Sequence, residues 1–312
     1  MKYLITGGCG FIGFHVAKEL INRQEEVVII DNFNDSYDPA IKYGRAKLLS
    51  EAIIYEADIL DVAKMEEIFS RHAFDKVIHL AARPGVRLSA ERPELYIKNN
   101  IEGTFNVFES CRQHNVKNVV FASSSSVYSH NEPPFNENQE IKDELSIYAH
   151  TKRTNELLAK IYCDSYGMDI VGLRFFSAYG TYGRPDLIFH IISEALLKHE
   201  TINIYGDGEI QRDFTHVNDI AESIILAANL NVGYEIFNIG NNNPISLNKL
   251  IDLIAERLKT DVLKNYQERN KIDMDITLAD ISKAKNILHW EPKVSLDDGI
   301  AELADWHLKK HK

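Results

Sequence analysis

The sequence predicts a doubly wound parallel α/β sheet that carries a smaller α/β lobe. Short apolar runs at 26–30, 53–55, 76–80, 117–122 and 170–174 alternate with segments of helical periodicity near 11–23, 61–72, 93–114 and 148–166. Such alternation builds a parallel sheet with helices on both faces. Four glycines, Gly7, Gly8, Gly10 and Gly13, crowd the turn after the first apolar run. Beyond residue 175 the pattern loosens into helical stretches near 187–198, 217–229, 246–258 and 296–309, separated by turn-rich segments such as YGDGEIQRD and NIGNNNP. The expected division is 1–174 for the sheet domain, with segments near 210–240 returning to it, and 175–312 for most of the smaller lobe.

The first strand, Tyr3-Leu4-Ile5, feeds the glycine turn, and Phe11, Ile12, Val16, Ala17 and Leu20 mark the first helix. Glycine forfeits backbone entropy on folding, so a cluster of four implies positions where something comes close to the backbone. The helix start would then aim its free N–H groups at a phosphate. The second strand, EVVIID, ends in Asp31. A carboxylate about twenty residues past the turn accepts hydrogen bonds from a ribose diol. Together these features point to a dinucleotide, and to NAD rather than NADP: Asp31 would repel a 2′-phosphate, and the adjacent Asn32 is no arginine.

Two later stretches fall where strands end and ligands bind. One is FASSSSVYS at 121–129; the other is SIYAHTK, in which Tyr148 and Lys152 are four apart at a helix start and share one face. A phenol with an ordinary pKa near ~10 needs a neighbouring cation before it can act as a base at neutral pH, and Lys152 fits that role.

Bulk properties narrow the class. A net charge of −11, from 35 basic and 46 acidic residues in 312, argues against nucleic acid or an anionic membrane as the main partner. Cys9, Cys111 and Cys163 are odd in number and form no CxxC pair, which suits reduced, buried thiols, and no metal site is expected. No apolar run reaches membrane-spanning length and the chain starts in a strand without a charged-then-apolar leader, so a cytoplasmic location is expected. His79 is read as a packed strand residue and His216 as a structural residue in a turn.

Gly7-x-x-Gly10-x-x-Gly13, Asp31, ADILD at 57–61, HLAARPGVR at 79–87, NNIEGT at 99–104, Ser124, Tyr148-x-x-x-Lys152 and RDFTHVNDI at 212–220 follow one another in order over at least residues 1–240. Together they resemble the extended short-chain dehydrogenase/reductase family of NAD-dependent epimerases and dehydratases, which is Rossmann-like in fold. Within it, DNFNDSYD at 31–38, the serine run 123–126, GLRFFSAYG at 172–180 and YGRPD at 182–186 are most similar to the UDP-glucuronate 4-epimerases.

The resemblance implies NAD held by Gly7, Gly10, Phe11, Ile12, Gly13, Asp31 and Asn32, with Asp58 and Ile59 at the adenine. Leu80, Ala81 and Ala82 would line the dinucleotide and Asn100 approach the nicotinamide. Tyr148 would take the proton of a sugar 4-hydroxyl, Lys152 would bind the nicotinamide ribose and depress the Tyr148 pKa, and Ser124 would hold the 4-oxygen. A 4-keto intermediate that turns over in the pocket then gives the C4 epimer of a UDP-sugar. Arg87, Arg184 and Arg212 are candidate contacts to the diphosphate or a sugar carboxylate. Ser125, Ser126 and Ser177 are candidate donors to a carboxylate at C5.

A homodimer is expected through the helices near 93–114 and 148–166, whose apolar residues, among them Val107, Phe108, Leu157, Leu158, Ile161 and Tyr162, cover more than one face. The dehydratase and decarboxylase branches carry an acidic residue where Ser125 and Ser126 stand. The chain also departs from the epimerase pattern at Arg83-Pro84, at Ser129 where glycine is common, and at Thr181 where proline is frequent. The rival readings are a UDP-glucose or N-acetylated-sugar 4-epimerase and a non-catalytic dinucleotide sensor. Intact Ser124, Tyr148 and Lys152 count against the sensor.

Overall fold

A computed structural model describes residues 1–268 and 274–311. The first half runs β1 (Lys2–Thr6), α1 (Phe11–Asn22), β2 (Glu26–Asp31), α2 (Pro39–Lys47), β3 (Ile53–Glu56), α3 (Val62–Arg71), β4 (Lys76–His79), α4 (Val86–Glu91), α5 (Pro93–Tyr96), a π-helical turn at Ile97–Glu102, α6 (Gly103–Gln113) and β5 (Asn118–Ser124). A 3₁₀ turn (Ser125–Tyr128), α7 (Ile147–Tyr166) and β6 (Asp169–Phe175) follow. The remainder is β7 (Ser177–Tyr179), α8 (Ile188–Leu197), β8 (Ile202–Tyr205), β9 (Gln211–His216), α9 (Val217–Ala228), β10 (Tyr234–Ile239), β11 (Pro244–Ser246), α10 (Leu247–Leu258), β12 (Lys264–Gln267) and α11 (Leu296–Lys310).

Seven strands form one sheet in the order β10-β6-β5-β4-β1-β2-β3, every pairing parallel. Parallel strands are covered on both faces, so they read as continuous apolar runs: in β2 every residue after Glu26 is buried. One face packs Phe14, Val16, Ala17 and Leu20 of α1 with Ile220, Ile224 and Ile225 of α9. The other takes Met65, Ile68 and Phe69 of α3, Val107, Phe108 and Cys111 of α6, and Ala159, Tyr162 and Cys163 of α7. The chain reverses direction across the sheet between β1 and β4, and the strand ends there open a crevice for ligands.

A separate core of Phe189 and Ile192 on α8, Leu250 and Ile254 on α10, and Ile300 and Leu303 on α11 builds the smaller lobe. Two small sheets, β11-β9-β7 and β12-β8, join it. Among the described residues no helix is long and apolar enough to cross a membrane.

Two expectations change. The stretch 93–114 is not one uniform helix but is interrupted at Ile97–Glu102, where the π turn buries Asn100. Val107, Phe108 and Tyr162 belong to the chain's own core, whereas Leu157 and Ile161 are exposed on α7. All three cysteines are buried free thiols.

Candidate active site

The glycine turn brings α1 almost onto the sheet. Gly7 has φ of +70°, and a Cβ there would stand 2.8 Å from the Ala81 backbone N; a Cβ on Gly13 would stand 2.3 Å from the Gly7 carbonyl oxygen. Neither position admits a side chain. Gly10 caps α1 in an extended conformation with no side-chain cap, which leaves the first helical amides for an anion. Asp31, 6% exposed, accepts hydrogen bonds from the Cys9 N–H at 3.0 Å and the Phe33 N–H at 2.9 Å. Burial pushes its pKa above the usual carboxylate value, while those amides and Lys42 pull the other way.

A cavity of about 400 Å³ runs along this turn. Gly7, Gly10, Phe11, Ile12, Gly13, Asp31, Asn32, Ile59, Leu80, Ala81 and Ala82 line it. Bare glycine backbone at a helix start, facing a buried carboxylate at the next strand end, fits the pyrophosphate and ribose of a dinucleotide.

Two cofactor candidates, Asp58 and Asn100, are not among the lining residues. Asp58 accepts from Asn32 Nδ2 at 2.8 Å and from the Leu60 N–H at 2.9 Å. Asn100 is fully buried; its Oδ1 accepts from the Arg83 N–H at 2.7 Å and its Nδ2 donates to Arg83 O and to Thr151 Oγ1, both at 3.1 Å. Its amide is spent on clamping the loop before α4, and Asn99 lines the cavity. Sequence reasoning missed Asn34, Tyr37 and Lys42, which also line it. Lys42 is buried and donates to Asn34 O at 2.9 Å and Asn34 Oδ1 at 3.0 Å. The available signal was the Asp38-Pro39 helix start, where Asp38 caps α2 and so turns Lys42 inward.

Farther along the same cavity lie Ser124, Tyr148 and Lys152. Ser146 caps α7, its Oγ accepting from the Ala149 N–H at 3.1 Å, and this fixes the helix that presents Tyr148 and Lys152. Lys152, 4% exposed, donates to Ala122 O at 2.8 Å, and burial lowers its ammonium pKa to about 8. Burial raises the pKa of the Tyr148 phenol, opposed by neighbouring Ser124 and then by the Arg184 charge, and the Ser124 Oγ donates to Ser126 Oγ at 3.1 Å. Lys152 Nζ lies 5.9 Å from the Tyr148 ring centroid while donating to the strand carbonyl, and the Arg184 charge also favours the ionised phenol.

The serines of the run part company. Ser123 Oγ donates to Glu156 Oε1 at 2.6 Å, and Glu156 also receives Arg174 through two bonds of 2.8 Å, so this hydroxyl serves the core. Ser125 and Ser126 face a second cavity of about 1100 Å³, together with Arg87, Ser177, Arg184 and Arg212. Arg184, Ser126 and Gly85 line both cavities, which therefore adjoin. Arg184 Nε and Nη2 donate to the two Asp186 carboxylate oxygens at 2.9 and 2.6 Å, which spends two of its five donors. Arg212 Nη1 donates to the backbone oxygens of Gln211 and Met274 at 2.8 and 2.9 Å. Arg87 sits 5.8 Å from the Tyr205 ring centroid.

The sequence departures have local explanations. Ser129 takes a left-handed φ of +36°, which glycine adopts freely, and its Oγ both donates to Ser126 O at 2.9 Å and accepts from the Leu145 N–H at 3.0 Å. Thr181 Oγ1 bonds Glu302 Oε1 at 3.1 Å. His79 is a buried strand residue between Thr6 and Thr104 hydroxyls. His216 is not in a turn: it ends β9 and caps α9, its Nδ1 accepting from the Asn218 N–H at 3.3 Å.

The arrangement offers a dinucleotide cradle that opens, past a phenol, a hydroxyl and an ammonium, into an arginine- and serine-lined pocket. The chain matches the model of the NAD dependent epimerase/dehydratase family over residues 3–240. It is 40% identical over 308 residues to a UDP-glucuronate 4-epimerase of Thermodesulfobacterium geofontis, covering 97% of this chain and 95% of that protein. It superimposes at a TM-score of 0.93 and 32% identity on a UDP-glucuronic acid 4-epimerase of Bacillus cereus solved with UDP-glucuronic acid and NAD, both chains fully covered. A UDP-glucose 4-epimerase of Thermotoga maritima, solved with UDP-glucose, superimposes with the same TM-score of 0.93, identity of 32% and full coverage of both chains. The glycine cradle, the Tyr148–Lys152 pair and these matches agree: the chain belongs to the NAD dependent epimerase/dehydratase family, and its cofactor is NAD.

Proposed function

We propose that the protein is an NAD-dependent UDP-sugar 4-epimerase that interconverts UDP-glucuronate and UDP-galacturonate through a 4-keto sugar. The observation that carries this reading is Arg184. It lines both cavities, acts on the Tyr148 phenol through its charge, and shares the second cavity with the hydroxyls of Ser125, Ser126 and Ser177. A sugar carboxylate taken from water without donors would cost several kcal/mol, and this corner supplies them.

NAD, when bound, supplies the hydride acceptor and donor for C4 of the sugar. Gly7, Gly10 and Gly13 hold its pyrophosphate and Asp31 its ribose diol. Tyr148 takes the proton of the 4-hydroxyl as the ketone forms and returns it after the sugar has turned in the pocket. Ser124, which lines the same cavity, holds the 4-oxygen, and Arg184 offsets part of the burial that resists ionisation. Lys152 binds the nicotinamide ribose. Arg87 and Arg212 pair with the diphosphate. Residues 1–174 with the 210–240 segments hold NAD, and 175–312 mainly hold the UDP-sugar. The assembly is a homodimer through α6 and α7, where Phe105, Leu157 and Ile161 are 46, 50 and 56% exposed.

Replacing Ser177 by Ala tests the substrate assignment. It should lower kcat/KM for UDP-glucuronate by about 1–3 kcal/mol of transition-state binding, and leave UDP-glucose little changed. Equal losses on the two sugars would remove Ser177 from carboxylate recognition.

A further inference from the structure

In the smaller lobe, α8 and the last turn of α11 bring three imidazoles to one carboxylate. His190 and His307 are 4 and 1% exposed, and His190 Nδ1 lies 2.9 Å from His307 Nε2. On the outer sides of this pair, His190 Nε2 lies 3.2 Å from the Gly180 carbonyl oxygen, and His307 Nδ1 lies 3.4 Å from Glu194 Oε1. Each of the three contacts needs one proton, because carbonyl and carboxylate oxygens only accept. Two neutral imidazoles carry two protons, so one contact lacks its own.

With His190 Nε2–H on Gly180 and His307 Nε2–H on His190, the shortfall falls at the carboxylate, where His307 Nδ1 is buried without a hydrogen-bond partner 3.4 Å from Glu194 Oε1. A ring nitrogen without a proton repels the carboxylate beside it, and a cation between them would remove the conflict.

His311 completes the set. It stands four residues after His307, and its Nε2 lies 3.2 Å from Glu194 Oε2. Ligand atoms of Glu194, His307 and His311 all lie within 4.8 Å of one another. The two imidazole contacts reach different oxygens of the one carboxylate, and zinc takes imidazole and carboxylate ligands at ~2.0–2.2 Å. Lys198 and Lys310 also approach Glu194, each at 3.3 Å. Both ammonium groups are exposed on flexible stems, and such pairs hold a carboxylate weakly.

We propose that Glu194, His307 and His311 bind a divalent transition-metal ion of the zinc class, with His190 orienting His307 from behind. Two imidazoles and a carboxylate, with a water in the open position, suit zinc and its neighbours rather than magnesium or calcium. His190 matches the partner that a metal-bound histidine requires: it takes the second ring proton and so fixes which nitrogen faces the ion. Through the Gly180 carbonyl the same chain reaches the loop that carries Arg184, so the bound ion would brace one wall of the substrate cavity.

The test uses the tag-free full chain, stripped with EDTA and dialysed. Calorimetric titration with Zn²⁺ should give one saturable site per chain, and Co²⁺ should give the visible absorption of a tetrahedral ion. His311→Ala removes an exposed ligand without disturbing the core and should weaken binding on the order of tenfold or more; His190→Gln should weaken it by about 10–100-fold. Zn²⁺ should raise the Tm of the parent chain and not that of His311→Ala. Absence of a saturable site, or Zn²⁺ affinity unchanged in both His311→Ala and Glu194→Gln, means an adventitious ion only and overturns the proposal. In that event an imidazolium supplies the third proton.

Discussion

Replacing Lys152 by Met removes an ammonium that the fold buries at a cost to its own stability. Lys152 is 4% exposed, and burial alone lowers its pKa from 10.5 to about 8. At ~1.36 kcal/mol per pKa unit, keeping the ionised group costs about 3 kcal/mol below pH 8. Its bond to Ala122 O returns about 1–2 kcal/mol. Met fills a similar volume, so the variant should be more stable than the parent by about 1–2 kcal/mol at pH 7. The folded pKa is depressed below the unfolded value, so between pH 8 and 10.5 the unfolded chain holds the extra proton and parental stability rises with pH. The variant lacks this slope. Its advantage is full below pH 8, is gone by about pH 9–9.5, and becomes a deficit of about 1–2 kcal/mol by about pH 10.5. Urea unfolding of the two cofactor-free chains at several pH values reads this directly, and epimerase turnover should collapse in the same variant. A variant less stable than the parent at pH 7, or a stability gap that ignores pH, would refute the reasoning.

Asp31→Ala should weaken NAD and narrow its margin over NADP, since the variant no longer sets a negative charge against a 2′-phosphate; titration of both cofactors checks it, and an unchanged ratio would show that Asp31 does not touch the ribose. Arg174→Leu strips Glu156 of its two-pronged partner inside the core and should cost about 3–5 kcal/mol in urea unfolding. A loss under 1 kcal/mol would mean that Arg153, whose Nη1 donates to Glu156 Oε2 at 2.9 Å, alone compensates the charge. Sedimentation at micromolar concentration should give twice the 35.6 kDa chain mass, and Ile161→Glu should shift it toward the monomer; a monomeric parent would sink the dimer.

Much of the sheet was legible because its strands are local apolar runs ending in recognisable chemistry: Gly7 after β1, Asp31 at β2 and Ser124 at β5. The strands β8 and β12 were not, because INIY and KNYQ pair with each other across some sixty residues, and KNYQ buries none of its residues. The π turn at Ile97–Glu102 was also hidden, since one extra residue per turn barely disturbs a 3.6-residue period. Spacing placed Tyr148 and Lys152 on one face. It could not reveal that Lys152 turns to a strand carbonyl, or that Arg184 arrives from a loop after β7 to face the phenol. Lys42 was missed for the related reason that a lysine reads as surface until its helix is seen to face a cavity.

The most direct test of the account is to incubate the purified enzyme with UDP-glucuronate and, separately, UDP-glucose, and to separate the products. The account predicts that UDP-glucuronate reaches equilibrium with UDP-galacturonate without added reductant. It also predicts a far higher kcat/KM than for UDP-glucose, and a fall of about 10² or more in Tyr148→Phe with NAD still bound. Efficient conversion of UDP-glucose to UDP-galactose with UDP-glucuronate left untouched would contradict it.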